Sequence, residues 1–200
     1  MLPNKLSSGD LKRASKLKII AGQWRSRQVL FAPTPGLRPT GNRDRERLFN
    51  WLGADIRGAH CADLFAGSGA LTFEAASRGA ATCIAIDNHP LALKWLAYNA
   101  QQLRAEQVLC RCGDSLELLK TPPARPMDVV FIDPPFALNC SSEACHKLEQ
   151  YDWLADNAMM YVELPKDNEG FYPPTNWQLW RQQINGDVDS RLYKRIEPPS

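Results

Sequence analysis

His60-Cys61-Ala62-Asp63-Leu64-Phe65-Ala66-Gly67-Ser68-Gly69-Ala70-Leu71-Thr72-Phe73 is the stretch that decides the class of fold. The run through Phe65 is apolar and too short for a helix, so 60–65 reads as a buried strand. Gly67 and Gly69 allow a tight turn, and the segment 69–78 that follows reads as a helix stopped by Gly79. A second strand at 82–86 completes a β-α-β unit.

The alternation continues outward from there. Helix 89–103, strand 107–111, a loop and short helix at 114–120, strand 127–132, helix 141–150 and strand 158–164 come next, then two strands near 177–183 and 188–195. Repeated βα units predict an α/β fold with a mostly parallel sheet wrapped by helices. The last two strands have no helix between them, which predicts an antiparallel hairpin at one edge of the sheet. No internal repeat or low-complexity tract is present.

Ligands of open α/β sheets bind beyond the carboxyl ends of the strands. Four successive strands here end in an acid: Asp63, Asp87, Asp114 and Asp133. Carboxylates gathered at one end of a sheet repel one another and lose solvation unless they bind something. Gly67 and Gly69 let the backbone approach a ligand closely, but Thr72 stands where a dinucleotide fingerprint has its third glycine. The loop therefore suits an amino-acid-plus-nucleoside cofactor better than a pyrophosphate. Asp87, 24 residues after Asp63, can accept both hydroxyls of a ribose, or it can cap the helix that starts near Pro90. Asp114-Ser115 either meets an adenine edge or caps the short helix after it.

Asp133-Pro134-Pro135-Phe136 closes the apolar run Val129-Val130-Phe131-Ile132. Two prolines in a row stop strand and helix alike, so the chain leaves a buried strand in a stiff turn with a carboxylate and an aromatic ring at its mouth. Such a turn suits a planar, amine-bearing group. The Asp133 carboxylate and the Pro134 carbonyl accept its N–H donors, and Phe136 stacks on its face. Hydrogen bonds of this kind draw the amine lone pair out of the ring plane and aim it at a methyl-sulfonium held in line. Asp133 need not be a strong base, because attack acidifies the amine and the proton can leave late.

Composition bounds the alternatives. Two hundred residues suit one domain with a modest appendage, and 44% apolar with 23% charged residues is ordinary for a globular protein. No apolar run approaches the ~20 residues that span a bilayer. Leu17-Lys18-Ile19-Ile20 is too short and too charged for a signal-peptide core, so a cytoplasmic location without a membrane partner is expected. The six cysteines include no C-x-x-C pair and the three histidines are scattered, so reduced structural thiols and no metal are expected. No apolar surface stripe is evident, and a monomer is expected.

The net charge of +2 conceals an asymmetry. Residues 1–47 hold 11 of the 24 basic residues and 3 of the 22 acidic ones. A basic arm on an acidic body is the electrostatic footprint of a nucleic-acid binder, although a solvated tail has the same charge. Trp24 and Phe31, set among Arg25, Arg27 and Arg38, favour RNA or DNA, since arginines hold phosphates and aromatic rings stack on bases. Arg43 and Arg45 complete the candidate nucleic-acid set. Residues 1–15 are polar and unpatterned and are expected as a disordered tail. Residues 17–31 read as a β-hairpin or two short strands, 33–39 as a turn-rich linker, and 42–52 as a helix with Asn42 as its N-cap and Leu48, Trp51 and Leu52 on its apolar face.

Several of these segments carry a family resemblance. They are Ile19-Ile20-Ala21-Gly22-Gln23-Trp24-Arg25-Ser26-Arg27, Gly36-Leu37-Arg38-Pro39-Thr40, Arg45-Glu46 with Leu48-Phe49-Asn50-Trp51-Leu52, Asp63 to Leu71, Asp133 to Phe136, Trp153-Leu154-Ala155-Asp156 and Tyr161-Val162-Glu163. Over roughly 17–196 the chain resembles the RsmD family of bacterial 16S rRNA guanine-N2 methyltransferases, which depend on S-adenosylmethionine. The resemblance implies a Rossmann-like class I methyltransferase sheet of seven strands, the seventh antiparallel, plus a small basic N-terminal β-hairpin extension. It implies a basic RNA-binding hairpin and first helix over 16–52 and a methyltransferase domain over 53–200. Asp63, Phe65, Gly67 and Gly69 would line the cofactor site, Asp87 and Asn88 would meet the ribose, and Asp114 and Ser115 would lie near the adenine. Asp133, Pro134, Pro135 and Phe136 would hold an extruded guanine, in the family guanine 966 of 16S rRNA, in the small ribosomal subunit. S-adenosylhomocysteine would be the product. The chain departs from the family run at Asn42, where Asp is usual, at Asp44, where Val is usual, and at Ala21, where Gly is usual.

Other readings compete. An adenine-N6 nucleic-acid methyltransferase uses the same kind of turn, though Phe136 in place of Tyr or Trp disfavours it. A glutamine-N5 protein methyltransferase usually carries Asn in place of Asp133. A non-catalytic RNA-binding assembly factor would not need Asp63, Asp87 and Asp133 intact. A nicotinamide dehydrogenase is disfavoured by the glycine spacing.

Overall fold

A computed structural model describes residues 6–33 and 41–196. The main sheet has seven strands: β3 (His60–Asp63), β4 (Thr82–Asp87), β5 (Val108–Cys112), β6 (Met127–Ile132), β7 (Leu154–Pro165), β8 (Trp177–Asn185) and β9 (Val188–Arg195). Their order is β5-β4-β3-β6-β7-β9-β8. The first five run parallel to one another, and β9 alone runs antiparallel, to both β7 and β8. The expected parallel sheet with an antiparallel edge hairpin is observed, with β7 beginning earlier than expected, at Leu154.

The connecting helices are α3 (Ala70–Ser77), α4 (Pro90–Leu103), α5 (Ser115–Leu118) and α6 (Ser141–Gln150). The central strands β3, β4, β6 and β7 are largely buried on both faces, as parallel strands wrapped by helices require, while the edge strand β8 is mostly exposed. Alternation along each strand sorts side chains into two cores. Cys61, Val129, Phe131 and Tyr161 face α3 and α4, while Ala62, Val130, Ile132, Met160 and Val162 face the layer that holds α6 and Trp153. Strand order reverses between β3 and β6, so Asp63 and Asp133 flank the switch point.

The N-terminal extension comprises α1 (Ser8–Arg13), the antiparallel pair β1 (Ser15–Lys18) and β2 (Gln28–Phe31), and α2 (Asn42–Leu52). The expected disordered tail of residues 1–15 is structured from Ser8. Ser7 Oγ accepts from the Asp10 N–H at 3.1 Å and Asp10 Oδ2 accepts from the Ser7 N–H at 2.9 Å, a capping box that the polar composition concealed. Residues 1–5 of that tail lie outside the described residues, as do 34–40. The N-cap of α2 is Gly41, with no side-chain bond, and Asn42 is its first helical residue.

The extension is docked onto α3 and α4. Ser77 Oγ accepts from Trp24 N–H at 2.9 Å, Glu74 accepts from Ile20 and Ala21 N–H at 2.8 and 3.1 Å, and Asn99 brackets Leu30 through both its amide atoms. Gly22, at φ +85°, lies so close to α3 that a Cβ there would fall 1.9 Å from the Ser77 carbonyl oxygen. No other residue fits.

Candidate active site

At the carboxyl end of the sheet a cleft of about 1210 Å³ opens over the switch point. It is lined by the β3–α3 loop, the ends of β4, β6 and β7, the Asp114 turn, the Asp133–Cys140 segment, the start of α2 and the β8–β9 turn. Asp44, Asp63, Asp87, Asp114, Asp133 and Glu163 all reach it, and among the described residues no Lys or Arg does. A cleft with this charge favours a cation or a donor-rich ligand and repels a pyrophosphate.

Asp63 is 3% exposed. Its Oδ2 accepts from the Thr72 hydroxyl at 2.6 Å and the Thr72 N–H at 3.2 Å, which ties the end of β3 to the first turn of α3. Burial pushes its carboxyl up to about 6, with Asp87 adding to the rise and the Thr72 bonds opposing it. The unfolded chain has the ordinary value near 3.8, so the native state binds more protons between these two values, and stability falls as pH rises through that window. Above it the buried charge costs about 3 kcal/mol. Asp63→Asn keeps an acceptor for Thr72 and removes the charge. It is expected to stabilise the ligand-free protein by up to about 3 kcal/mol near pH 7.5, the gain fading toward pH 4. Denaturant unfolding across that range measures this, and a gain independent of pH would assign the cost elsewhere.

Asp87 does not take the capping role that the sequence left open: the N-cap of α4 is His89, whose Nδ1 accepts from the Leu91 N–H at 3.2 Å, and Asp87 faces the cleft. Its Oδ1 accepts from the His89 N–H and its Oδ2 from the Gly67 N–H, both at 2.8 Å. The second bond joins β4 to the glycine turn. Asn88 and Phe65 also line the cleft. Gly67, at φ +50°, lines it too, but Gly69 does not. Gly69 serves packing: its φ is +78°, and a Cβ there would come within 2.7 Å of Leu96 and the Phe73 ring.

Asp114 caps α5, its Oδ1 accepting from the Leu116 and Glu117 N–H groups at 2.8 and 3.2 Å, and remains exposed at the cleft. Ser115 is buried and its hydroxyl donates to the Leu64 carbonyl, so that proton is already committed.

The Asp133 turn has the predicted form. Pro134 is buried and Pro135 exposed, and Phe136–Leu138 make one 3-10 turn that holds Phe136 41% exposed beside the cleft. Glu163, not among the residues expected here, joins Asp133 on this wall. Burial raises its carboxyl above the ordinary glutamate range and Asp44 adds to the rise, while hydrogen bonds with Tyr161 and Asp133 oppose it. Only its place in the Tyr161-Val162-Glu163 match hinted at it in the sequence. Asp44 also meets Asn185 Nδ2 at 3.0 Å, joining α2 to the β8–β9 turn across the rim of the cleft.

The candidate nucleic-acid residues divide. Arg25, Arg27 and Arg43 are exposed, Arg27 donating to the Gln102 carbonyl at 2.9 Å. Arg38 lies outside the described residues. Trp24 and Arg45 are corrections. Trp24 is 4% exposed and packs in the core, so its ring cannot stack on a base. Arg45 is fully buried, donates to the Lys18 carbonyl at 2.6 Å and Asn42 Oδ1 at 3.0 Å, and pairs with Glu74 at 3.7 Å, so it cannot hold a phosphate. Phe31 is also buried, at the edge of the cleft.

All six cysteines are free. Among the described residues no group of three or more His, Cys, Asp or Glu is placed to hold a metal ion, and no helix is long and apolar enough to cross a membrane.

Comparison with known proteins gives concordant matches. The family model described as "Conserved hypothetical protein 95" matches residues 17–194. Ribosomal RNA small subunit methyltransferase D of Escherichia coli K12 is 40% identical over 193 residues, covering 96% of this chain and 94% of that protein. The protein of the same name from Haemophilus influenzae is 42% identical over 182 residues, covering 90% and 94%. The solved structure of Escherichia coli yhhF superposes with a TM-score of 0.82 at 40% identity, covering 92% of this chain and all of that one. An RNA methyltransferase from Salinibacter ruber, solved with S-adenosyl-L-homocysteine, shares the fold at a TM-score of 0.62 and 19% identity.

Proposed function

The chain belongs to the RsmD family, and from that membership and the acid-lined cleft we propose that it transfers a methyl group from S-adenosylmethionine to the exocyclic N2 amine of a guanine in 16S rRNA, within the small ribosomal subunit. One observation carries this reading: the Asp133–Phe136 turn shares a single cleft with Asp63, Asp87 and Asp114, and no Lys or Arg among the described residues enters it. S-adenosylmethionine, when bound, supplies an electrophilic methyl on a sulfonium. Its ammonium, ribose hydroxyls and adenine amine are donors suited to the carboxylates at the strand ends, and a cationic sulfur is favoured where an anionic pyrophosphate is not.

The chain's own residues then perform three tasks. Asp63 and Asp87 hold the glycine turn in shape and offer acceptors to the cofactor. Asp133 and the Pro134 carbonyl accept the amine N–H groups, while Phe136 covers the base. Arg25, Arg27 and Arg43 grip phosphates, so that the base is presented already extruded. Proximity and alignment supply most of the acceleration, because the amine needs orientation more than it needs a base.

The test is transfer of labelled methyl from S-adenosylmethionine to undermodified small subunits, free 16S rRNA, tRNA and DNA, with the product nucleoside identified. N2-methylguanosine in 16S rRNA alone is the expected product. N6-methyladenosine would overturn the substrate, and no transfer to any of the four would favour a non-catalytic assembly factor.

A further inference from the structure

Glu163 lies beyond the four strand-end acids, yet it shares their cleft. Parallel register pairs Phe131 with Tyr161 and Ile132 with Val162. The next step sets Asp133 beside Glu163, on strands ~4.8 Å apart, with both side chains on the face that Phe131 and Tyr161 share. Glu163 is 6% exposed. Among the described residues no Lys or Arg pairs with it, and the charge of Asp44 adds to the rise of its carboxyl.

The site nevertheless holds this carboxyl firmly. The Tyr161 hydroxyl donates to Glu163 Oε1 at 2.6 Å and stands 3.2 Å from Ser190 Oγ on β9. A tyrosine has one proton, so the short bond takes it and the Ser190 hydroxyl donates to the phenol oxygen. This relay presents the carboxyl to the cleft as an acceptor in a set orientation. Its remaining hydrogen bond is with Asp133. Two carboxyls in contact hold a proton between them, and a ligand that brings two adjacent N–H donors takes the place of that proton.

Guanine has such a pair, because its N1–H stands beside the N2 amine on the Watson–Crick edge. In adenine the amine stands beside an unprotonated N1. Resting on the guanine-N2 reading above, we propose that Glu163 selects guanine by accepting from N1–H while Asp133 accepts from the N2 amine. An unprotonated N1 turns a lone pair toward the carboxylate and leaves a buried acceptor without a donor. Sites built to bond a polar edge reject the analogue lacking it far more strongly than apolar pockets reject a missing methylene.

2-Aminopurine separates the two contacts, since it keeps the N2 amine and lacks the N1 proton. Small subunits are reconstituted with 16S rRNA carrying guanine or 2-aminopurine at the methylated position. Single-turnover methylation is then measured at pH about 8.5 with the wild type and with Glu163→Gln. The wild type is expected to favour guanine by about 100-fold. In Glu163→Gln the amide oxygen still accepts from Tyr161 and the amide nitrogen faces N1. Guanine transfer should fall by about 100-fold while 2-aminopurine transfer holds or rises, so that the preference collapses. A variant that merely loosens the fold would slow both substrates and keep their ratio. Equal wild-type rates on the two bases would overturn the role of Glu163 and leave the guanine-N2 reading intact. Absence of N2-methylguanosine on the guanine particles would overturn that reading and this inference with it.

Discussion

Asp133→Ala is expected to reduce methyl transfer by about 10²–10³-fold while the dissociation constant for S-adenosylmethionine changes by less than about twofold. The carboxylates proposed to face the cofactor sit on β3, β4 and the Asp114 turn, whereas Asp133 follows β6 across the switch point. Loss of its side chain removes the acceptor proposed for the target amine and leaves in place the bond that Asp87 accepts from Gly67 N–H and the one that Asp63 accepts from the Thr72 hydroxyl. Pro134 and Pro135 keep the backbone of the turn stiff without it. The effect should therefore appear in the single-turnover rate at saturating RNA and cofactor, with calorimetry reporting unchanged cofactor binding. Asp133→Asn, which retains one acceptor, should fall between wild type and alanine. Wild-type turnover in the alanine variant would remove Asp133 from the chemistry, and a parallel loss of cofactor affinity would move it to the cofactor's side of the cleft.

The largest loss of stability should follow Glu74→Ala. Glu74, on α3 and 1% exposed, accepts from two backbone N–H groups of the N-terminal extension and pairs with Arg45 and Arg78. Arg45 is itself fully buried, with its Nε and Nη1 lacking any hydrogen-bond partner, and burial lowers its guanidinium pKa against the support of Glu74. Removing the carboxylate strands that charge among apolar neighbours. Breaking a buried pair in this way costs about 3–5 kcal/mol, or about 6–20 °C in melting temperature for a chain of this size. Glu74→Gln keeps an acceptor for one backbone N–H group and should lose less. A melting temperature within about 2 °C of wild type in the alanine variant would mean that the extension is held by its apolar contacts alone. Because Arg25 and Arg27 ride on that extension, RNA affinity should fall with it, and its salt dependence should flatten.

This network also sets Arg45 apart from the exposed arginines that its sequence context resembles. In the sequence it is one of several arginines in a basic run, and nothing local separates it from Arg43 two positions earlier. On α2 those two positions lie on different sides of the helix, and only the docking of α2 against α3 decides which side is buried. Trp24 is a parallel case. An aromatic ring among arginines reads as a stacking platform, yet Gly22 allows the hairpin to approach Ser77 so closely that the indole enters the core. Glu163 is inconspicuous in the sequence for the opposite reason. It is a single acid on a buried strand 30 positions beyond Asp133, and only the parallel pairing of β6 with β7 makes the two neighbours.

What the sequence determined by itself was whatever rests on short-range chemistry. Short apolar runs, glycines at the β3–α3 turn and paired prolines after β6 act through adjacent residues, so they specified the strands and turns, with an acid at each strand end, wherever they were packed. The α/β class, the edge hairpin and the stiff Asp133 turn followed from them. The tertiary structure decided which of these residues meet. Burial and partnership are properties of positions far apart in the chain: Arg45 with Glu74, Trp24 with Ser77, Asp87 with Gly67, Asp133 with Glu163. The same arginine or carboxylate is a solvated charge, a structural clamp or a ligand depending on the surface folded against it, and no local pattern encodes that surface.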